Sequence, residues 1–181
     1  MRDIWVTADT HFGHTNILGF TDDNGTLVRD FSSVEEMDET MVDNWNSVVK
    51  QGDKVYHLGD VMFGPKDDFS KLWPRLKGSK RLVVGNHDDI KYLSSGGFFQ
   101  KVVMWRVFSE LGLLLTHTPQ HQSALTGLRN GLFNVHGHIH KNPSPEGPYH
   151  CVCVEQTDYT PVHLDELVKA KDAFLFTKES K

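Results

Sequence analysis

Cysteine is scarce: Cys151 and Cys153, one residue apart, are the only two in 181 residues. Alternate residues of a strand point the same way with α-carbons well over 6 Å apart, a spacing that suits a disulfide badly. The pair therefore reads as inert, reduced wall residues of a cytoplasmic chain. Long apolar runs are missing too. No stretch approaches the roughly 20 residues needed to span a bilayer. The opening Met1-Arg2-Asp3-Ile4-Trp5-Val6 lacks the apolar core and small-residue site of a signal peptide. Positive charge is in short supply: 19 Lys and Arg against 24 Asp and Glu give a net charge of −5 and a pI near 6.1. No basic field is left to hold duplex nucleic acid, although bound cations would reverse the local sign for a small anionic substrate. Nothing in this composition speaks to oligomeric state.

The length fits one domain, 1–181, with no repeat and no linker long enough to divide it. Residues 142–148, with three prolines, read as a rigid loop, and 19–30 as a hairpin or surface excursion. Residues 33–50 are the clearest helix: Ser33 can cap it with Glu36 three residues on, and Val34, Met37, Met41, Trp45 and Val48 form one core-facing stripe. A shorter helix is expected over 164–171, with the Lys-rich end after Phe176 frayed.

Histidine is the abundance, with 11 copies, most of them at the ends of apolar runs. Five short β-rich segments (4–8, 55–58, 81–84, 113–116 and 132–135) each lead into a potential metal ligand. These are Asp9, Asp60, Asn86, His117 and the run His136-Gly137-His138-Ile139-His140. Open α/β sheets bind ligands along the carboxyl edge of their strands, so the five ends can converge. Asp9 with His11, and His138 with His140, are i, i+2 pairs that face the same way in extended chain. Mixed carboxylate, imidazole and amide donors suit manganese, iron, zinc, nickel or cobalt better than calcium. Seven donors exceed what one open catalytic ion takes, and they fit two ions about 3.5–4 Å apart sharing a carboxylate, for which Asp60 is the natural bridge.

Taken singly, each of these residues serves equally well as turn or cap chemistry at a strand end. His57, inside an apolar strand, reads as a packed core residue, and His136 as a support for its neighbours. His121, His150 and His163 read as surface. His14 and Asn16 are placed equally well lining a substrate pocket or capping a short helix near Thr15. Arg129, in the loop before the last His-rich strand, is a phosphate clamp or a solvated side chain.

In order, Asp-x-His, Gly-Asp, Gly-Asn-His-Asp, a lone His and Gly-His-x-His resemble the motif string of calcineurin-like metallophosphoesterases. The run Asp9-Thr10-His11-Phe12-Gly13-His14-Thr15-Asn16-Ile17 is similar to the opening of small stand-alone members in bacteria and their viruses. The resemblance spans residues 9–140. It implies a four-layer αββα sandwich of two mixed sheets, an α/β fold with the site at the strand ends. It implies two divalent ions, manganese before iron, zinc, nickel or cobalt: Asp9, His11 and His140 on the first, Asn86, His117 and His138 on the second, Asp60 on both. His87 would contact the phosphoryl group and assist the leaving oxygen, with Asp88 orienting His87. The implied activity is hydrolysis of small phosphate esters, nucleotide-like diesters first, by a hydroxide bridging the ions. A phosphomonoesterase, a nuclease of the same superfamily and a non-catalytic protein-binding scaffold stand as alternatives.

Overall fold

A computed structural model describes residues 2–126 and 131–179. In chain order its elements are β1 (Ile4–Thr7), α1 (Val34–Val48), β2 (Lys54–His57), α2 (Lys66–Leu72), β3 (Ser79–Val83), α3 (Ile90–Ser95) and β4 (Lys101–Val103). They continue with β5 (Arg106–Phe108), β6 (Leu113–Thr116), β7 (Phe133–His136), β8 (Tyr149–Cys151), β9 (Val162–His163) and α4 (Leu164–Glu179). Two mixed sheets result, as expected. The first has the order β4-β3-β2-β1-β9, parallel except for β9; the second has the order β5-β6-β7-β8, parallel except for β5. Parallel order matters for function, because it sends the carboxyl ends of β1, β2 and β3 to one edge and those of β6 and β7 to the same kind of edge in the second sheet.

Two cores hold the layers. On one face of the first sheet, Met37, Met41 and Trp45 of α1 pack with Phe69, Trp73 and Leu82. Burying each methionine is worth about 1.5–3 kcal/mol. Between the sheets, Val6, Leu58 and Val83 meet Leu113, Leu115 and Val135. The Ser33 hydroxyl caps α1 by accepting the Glu36 N–H at 3.1 Å, while the Glu36 carboxylate reaches back to Ser32 instead of Ser33. The helix stops at Val48, short of the expected Lys50, because Val49 turns extended to pack in the core.

Two further expectations change. Helix α4 runs on to Glu179, since Leu164, Leu167, Val168 and Phe174 keep it docked on the inter-sheet core. The strand expected to alternate through Val154 ends at Cys151 and gives way to a 3-10 turn, Val154–Gln156. Residues 19–30 do form a hairpin, bridged at Thr21 and Leu27, but Arg29 at its end is fully buried. Cys151 and Cys153 are free and buried. No described helix is long and apolar enough to cross a membrane.

Candidate metal centre

Backbone geometry brings the strand ends together before any side chain contributes. Past β1 the chain stays paired with the segment after β2: Asp9 N–H donates to Gly59 O at 3.0 Å, His11 N–H to Asp60 O at 3.1 Å, and Phe12 N–H to Val61 O at 3.0 Å. Gly59 turns with φ +92°, and a Cβ there would strike the Gly85 backbone and lie 2.9 Å from His117 Nδ1. Seven described non-glycine residues have positive φ, and five of them are Asp9, His11, Asp60, His138 and His140, at 48–73°. Left-handed backbone costs roughly 1–3 kcal/mol per residue and persists where the surroundings impose it, typically at functional sites.

The side chains fall into two groups. One donor atom each from Asp9, His11 and His140 lie within 4.8 Å of one another, and so do those of Asp60, His117 and His138. Asn86 joins the second group, its Oδ1 2.7 Å from His117 Nε2, and His138 Nδ1 is 3.2 Å from the same nitrogen. Asp60 Oδ2 lies between the groups, 3.8 Å from His11 Nε2 and 3.5 Å from His117 Nε2. All seven residues expected as ligands are thus brought together.

A cation fits this set on its own evidence. Asp9 Oδ1 and both ring nitrogens of His11 are buried without a hydrogen-bond partner among the described residues. Each such orphan costs about 1–3 kcal/mol. Burial pushes the Asp9 carboxyl up to about 6. Burial, then the Arg29 charge, drives the His11 imidazole far below its ordinary value, leaving it neutral with a lone pair free. Neutral imidazole beside an unpartnered carboxylate oxygen is the donor state a divalent ion takes.

A second layer fixes these donors, and most of it escapes a reading of the sequence. Glu155, from the 3-10 turn, accepts from His140 Nδ1 at 2.8 Å, which directs Nε2 inward. Burial acts to lower the His140 pKa, but the Glu155 hydrogen bond and charge prevail and raise it. Glu155 is held by Arg29, whose Nε donates to Oε1 at 2.8 Å and whose Nη2 forms an ion pair with the same oxygen at 2.8 Å. Arg29 also donates to the carbonyls of Thr10, at 2.8 Å, and Asp9, and to Met37 Sδ at 3.4 Å. Cys153 Sγ donates to Asp9 Oδ2 at 3.2 Å, so it is no inert wall residue.

Asp88 also departs from expectation. Its carboxylate accepts from the backbone N–H groups of Gly85, Val61 and Asp60, at 2.7, 2.9 and 3.2 Å. It props the Asp60 and Asn86 turns; no Asp88–His87 hydrogen bond occurs among the described residues. His87 itself is exposed at the rim, its N–H donating to Asp60 Oδ1 at 2.9 Å and its ring 6.4 Å from that of His11.

Around the rim the alternatives separate. The His14 ring stacks on Phe63 at 4.5 Å and lies 5.6 Å from His11, with no capping bond, so it borders the first group. Asn16 sits exposed on the 3-10 turn Thr15–Gly19 and makes no side-chain hydrogen bond among the described residues. Arg129 lies outside the described residues. His57 is a core residue as expected, 2.9 Å from Thr10 Oγ1, and burial pushes its pKa down to about 3. His136 is buried and contacts the Gly137 carbonyl and Ser144. His150 and His163 are half-buried in strands, contrary to their surface reading.

Comparison with known proteins places this geometry. The family model described as calcineurin-like phosphoesterase matches residues 2–177. An uncharacterised protein of Methanocaldococcus jannaschii is 35% identical over 179 residues, covering 93% of this chain and 91% of its own. The gene 66 protein of Mycobacterium phage L5 is 29% identical over 169 residues, with coverage of 77% and 78%. Among solved structures, a protein of unknown function from Aquifex aeolicus matches with a TM-score of 0.72 at 27% identity, covering 94% of this chain and all of its own.

Proposed function

We propose, because the chain belongs to the calcineurin-like phosphoesterase family of metal-dependent phosphoester hydrolases, that it hydrolyses small phosphate diesters at a pair of divalent ions. The observation that carries this reading is the position of Asp60 Oδ2 between the two donor groups, 3.8 Å from His11 and 3.5 Å from His117. In this scheme Asp9, His11 and His140 hold one ion, Asn86, His117 and His138 hold the other, and Asp60 serves both. Manganese is the first choice, with iron, zinc, nickel or cobalt compatible with the same donors. When bound, such a pair supplies Lewis acidity to phosphoryl oxygens and lowers the pKa of water.

The protein's own residues supply the rest. Glu155 holds the tautomer of His140, and Asp88 holds the turn that carries Asp60. His87, exposed beside the first group, is placed to donate to the departing oxygen. Diesters are favoured over monoesters by charge. A dianionic monoester calls for a guanidinium clamp, yet among the described residues Arg29, which reaches the Asp9 carbonyl, is fully buried and spends its donors on Thr10, Asp9, Met37 and Glu155. The test compares bis-p-nitrophenyl phosphate with p-nitrophenyl phosphate in the manganese-loaded protein. The diester should turn over faster, and activity should vanish on chelation. A faster monoester would make the protein a phosphomonoesterase.

A further inference from the structure

A cavity of about 650 Å³ opens beside the second donor group, and Asn86 and His117 belong to both. That volume suits a nucleoside-sized group. Its floor is apolar, with Val84 and Leu114, and its mouth carries Ile90, Met104 and Trp105. Those three are 49%, 61% and 63% exposed, so large apolar side chains are clustered in water at the edge of the centre. Apolar patches of this kind mark binding surfaces. Among its polar lining residues is Gln120, whose Nε2 donates to Thr118 O at 3.0 Å and whose Oε1 receives no hydrogen bond from a described residue.

Trp105 and Val107 also line a second recess of about 220 Å³, whose charged residues are Arg81, Lys101 and Arg106 with no carboxylate among them. None of the three cations forms an ion pair among the described residues. Arg106 Nε is buried without a hydrogen-bond partner among the described residues, its guanidinium held 4.5 Å from the Phe108 ring. Arg81 Nη1 donates to Ser79 O at 3.1 Å and its guanidinium lies 5.7 Å from the Tyr56 ring, yet three cations with no carboxylate partner among the described residues stand out in a chain of net charge −5.

We infer that the two recesses form a nucleotide subsite of the proposed diesterase, a subsite that presupposes the diester reading above. The larger takes the base against Trp105 with Gln120 Oε1 accepting from a base N–H, and the smaller takes a further phosphate of the same substrate. A lipid chain would fill the apolar part but leave the cations unmatched. Base stacking on an aromatic ring beside a cationic groove is the physics by which single-stranded nucleic acid binds without duplex recognition. The substrate class is therefore a short single-stranded oligonucleotide.

Two pairs of substrates test this. Thymidine 5′-(p-nitrophenyl phosphate) and methyl p-nitrophenyl phosphate share a leaving group and differ in carrying a nucleoside or a methyl group. The wild type should favour the thymidyl ester in kcat/KM, and Trp105→Ala should cut that preference roughly 5- to 150-fold, the span of one base stack. A thymidine dinucleotide with a 5′-phosphate should be preferred to one without, and Arg106→Gln, or the more exposed Lys101→Gln, should bring that ratio towards one. Quenching of tryptophan fluorescence by thymidine 3′,5′-bisphosphate, weakened in Trp105→Ala, reports the stack without turnover. A thymidyl preference that is absent in the wild type, or that survives Trp105→Ala, overturns the subsite. If neither nitrophenyl ester is cleaved by protein carrying its ions, the diesterase reading itself fails.

Discussion

His140 Nδ1 donates to Glu155 Oε1 at 2.8 Å, and the same oxygen accepts from Arg29, so one carboxylate oxygen couples a candidate ligand to a fully buried cation. Carboxylates behind a ligating imidazole typically contribute 10–100-fold to metal affinity. We predict that Glu155→Gln weakens manganese binding at the first site by about that factor and spares the second. It also leaves Arg29 without its counter-charge, for which a loss of about 3–5 kcal/mol in stability is expected. Calorimetric manganese titration and urea unfolding measure the two effects. Unchanged affinity at both sites would reduce Glu155 to a structural role.

Asp88 and His87 are adjacent, yet the structure gives them different work, and kinetics can separate the two. In Asp88→Asn one acceptor oxygen becomes a donor facing backbone N–H groups, a mismatch worth about 1–3 kcal/mol. Because the Asp60 turn shifts, activity should fall by similar factors on nitrophenyl and alkyl diesters. A loss confined to poor leaving groups would return Asp88 to orienting His87.

His87→Gln should behave in the opposite manner. A nitrophenolate departs readily as an anion, whereas a ribose or alkyl alkoxide needs a proton, help worth about 10²–10⁴-fold. The variant should keep both ions and lose far more turnover on a dinucleotide than on a nitrophenyl ester. Equal losses would assign His87 to phosphoryl binding alone. Loss of an ion would make it a ligand.

Away from the site, burial pushes Lys80 down to about 8; its ammonium lies against Leu76 O and 5.4 Å from the Trp73 ring. Since the unfolded lysine titrates near 10.4, the unfolded chain holds more protons between those two values, and stability contributed by this group rises with pH across that window. Urea midpoints from pH 7 to 10 should therefore climb in the wild type relative to Lys80→Met. Parallel curves would contradict the shift.

The parts of this site that could be read from the sequence are those in which a ligand directly follows its strand. Asp9, Asp60, Asn86, His117 and the His138–His140 pair are local signals, each a short apolar run ending in a donor. What stayed hidden depends on distance along the chain. Arg29 and Glu155 are 126 residues apart, and no period or motif connects them before the hairpin folds back on the 3-10 turn. Cys153 reaches Asp9 across 144 residues. Asp88 misled by adjacency, because its turn buries one side chain under the backbone and leaves its neighbour in solvent. Strands as short as β4, β5 and β9, two or three residues each, carry no alternation to detect.

The central claim is that two ions share Asp60, and metal stoichiometry after mild chelation and reloading with manganese addresses it directly. The wild type should hold two ions per chain. His140→Ala should release chiefly the first, and Asp60→Asn should loosen both, because its carboxylate lies within 3.8 Å of donors in each group. A wild type that never binds more than one divalent ion in excess manganese, or an Asp60→Asn variant that keeps two at unchanged affinity, would contradict the account.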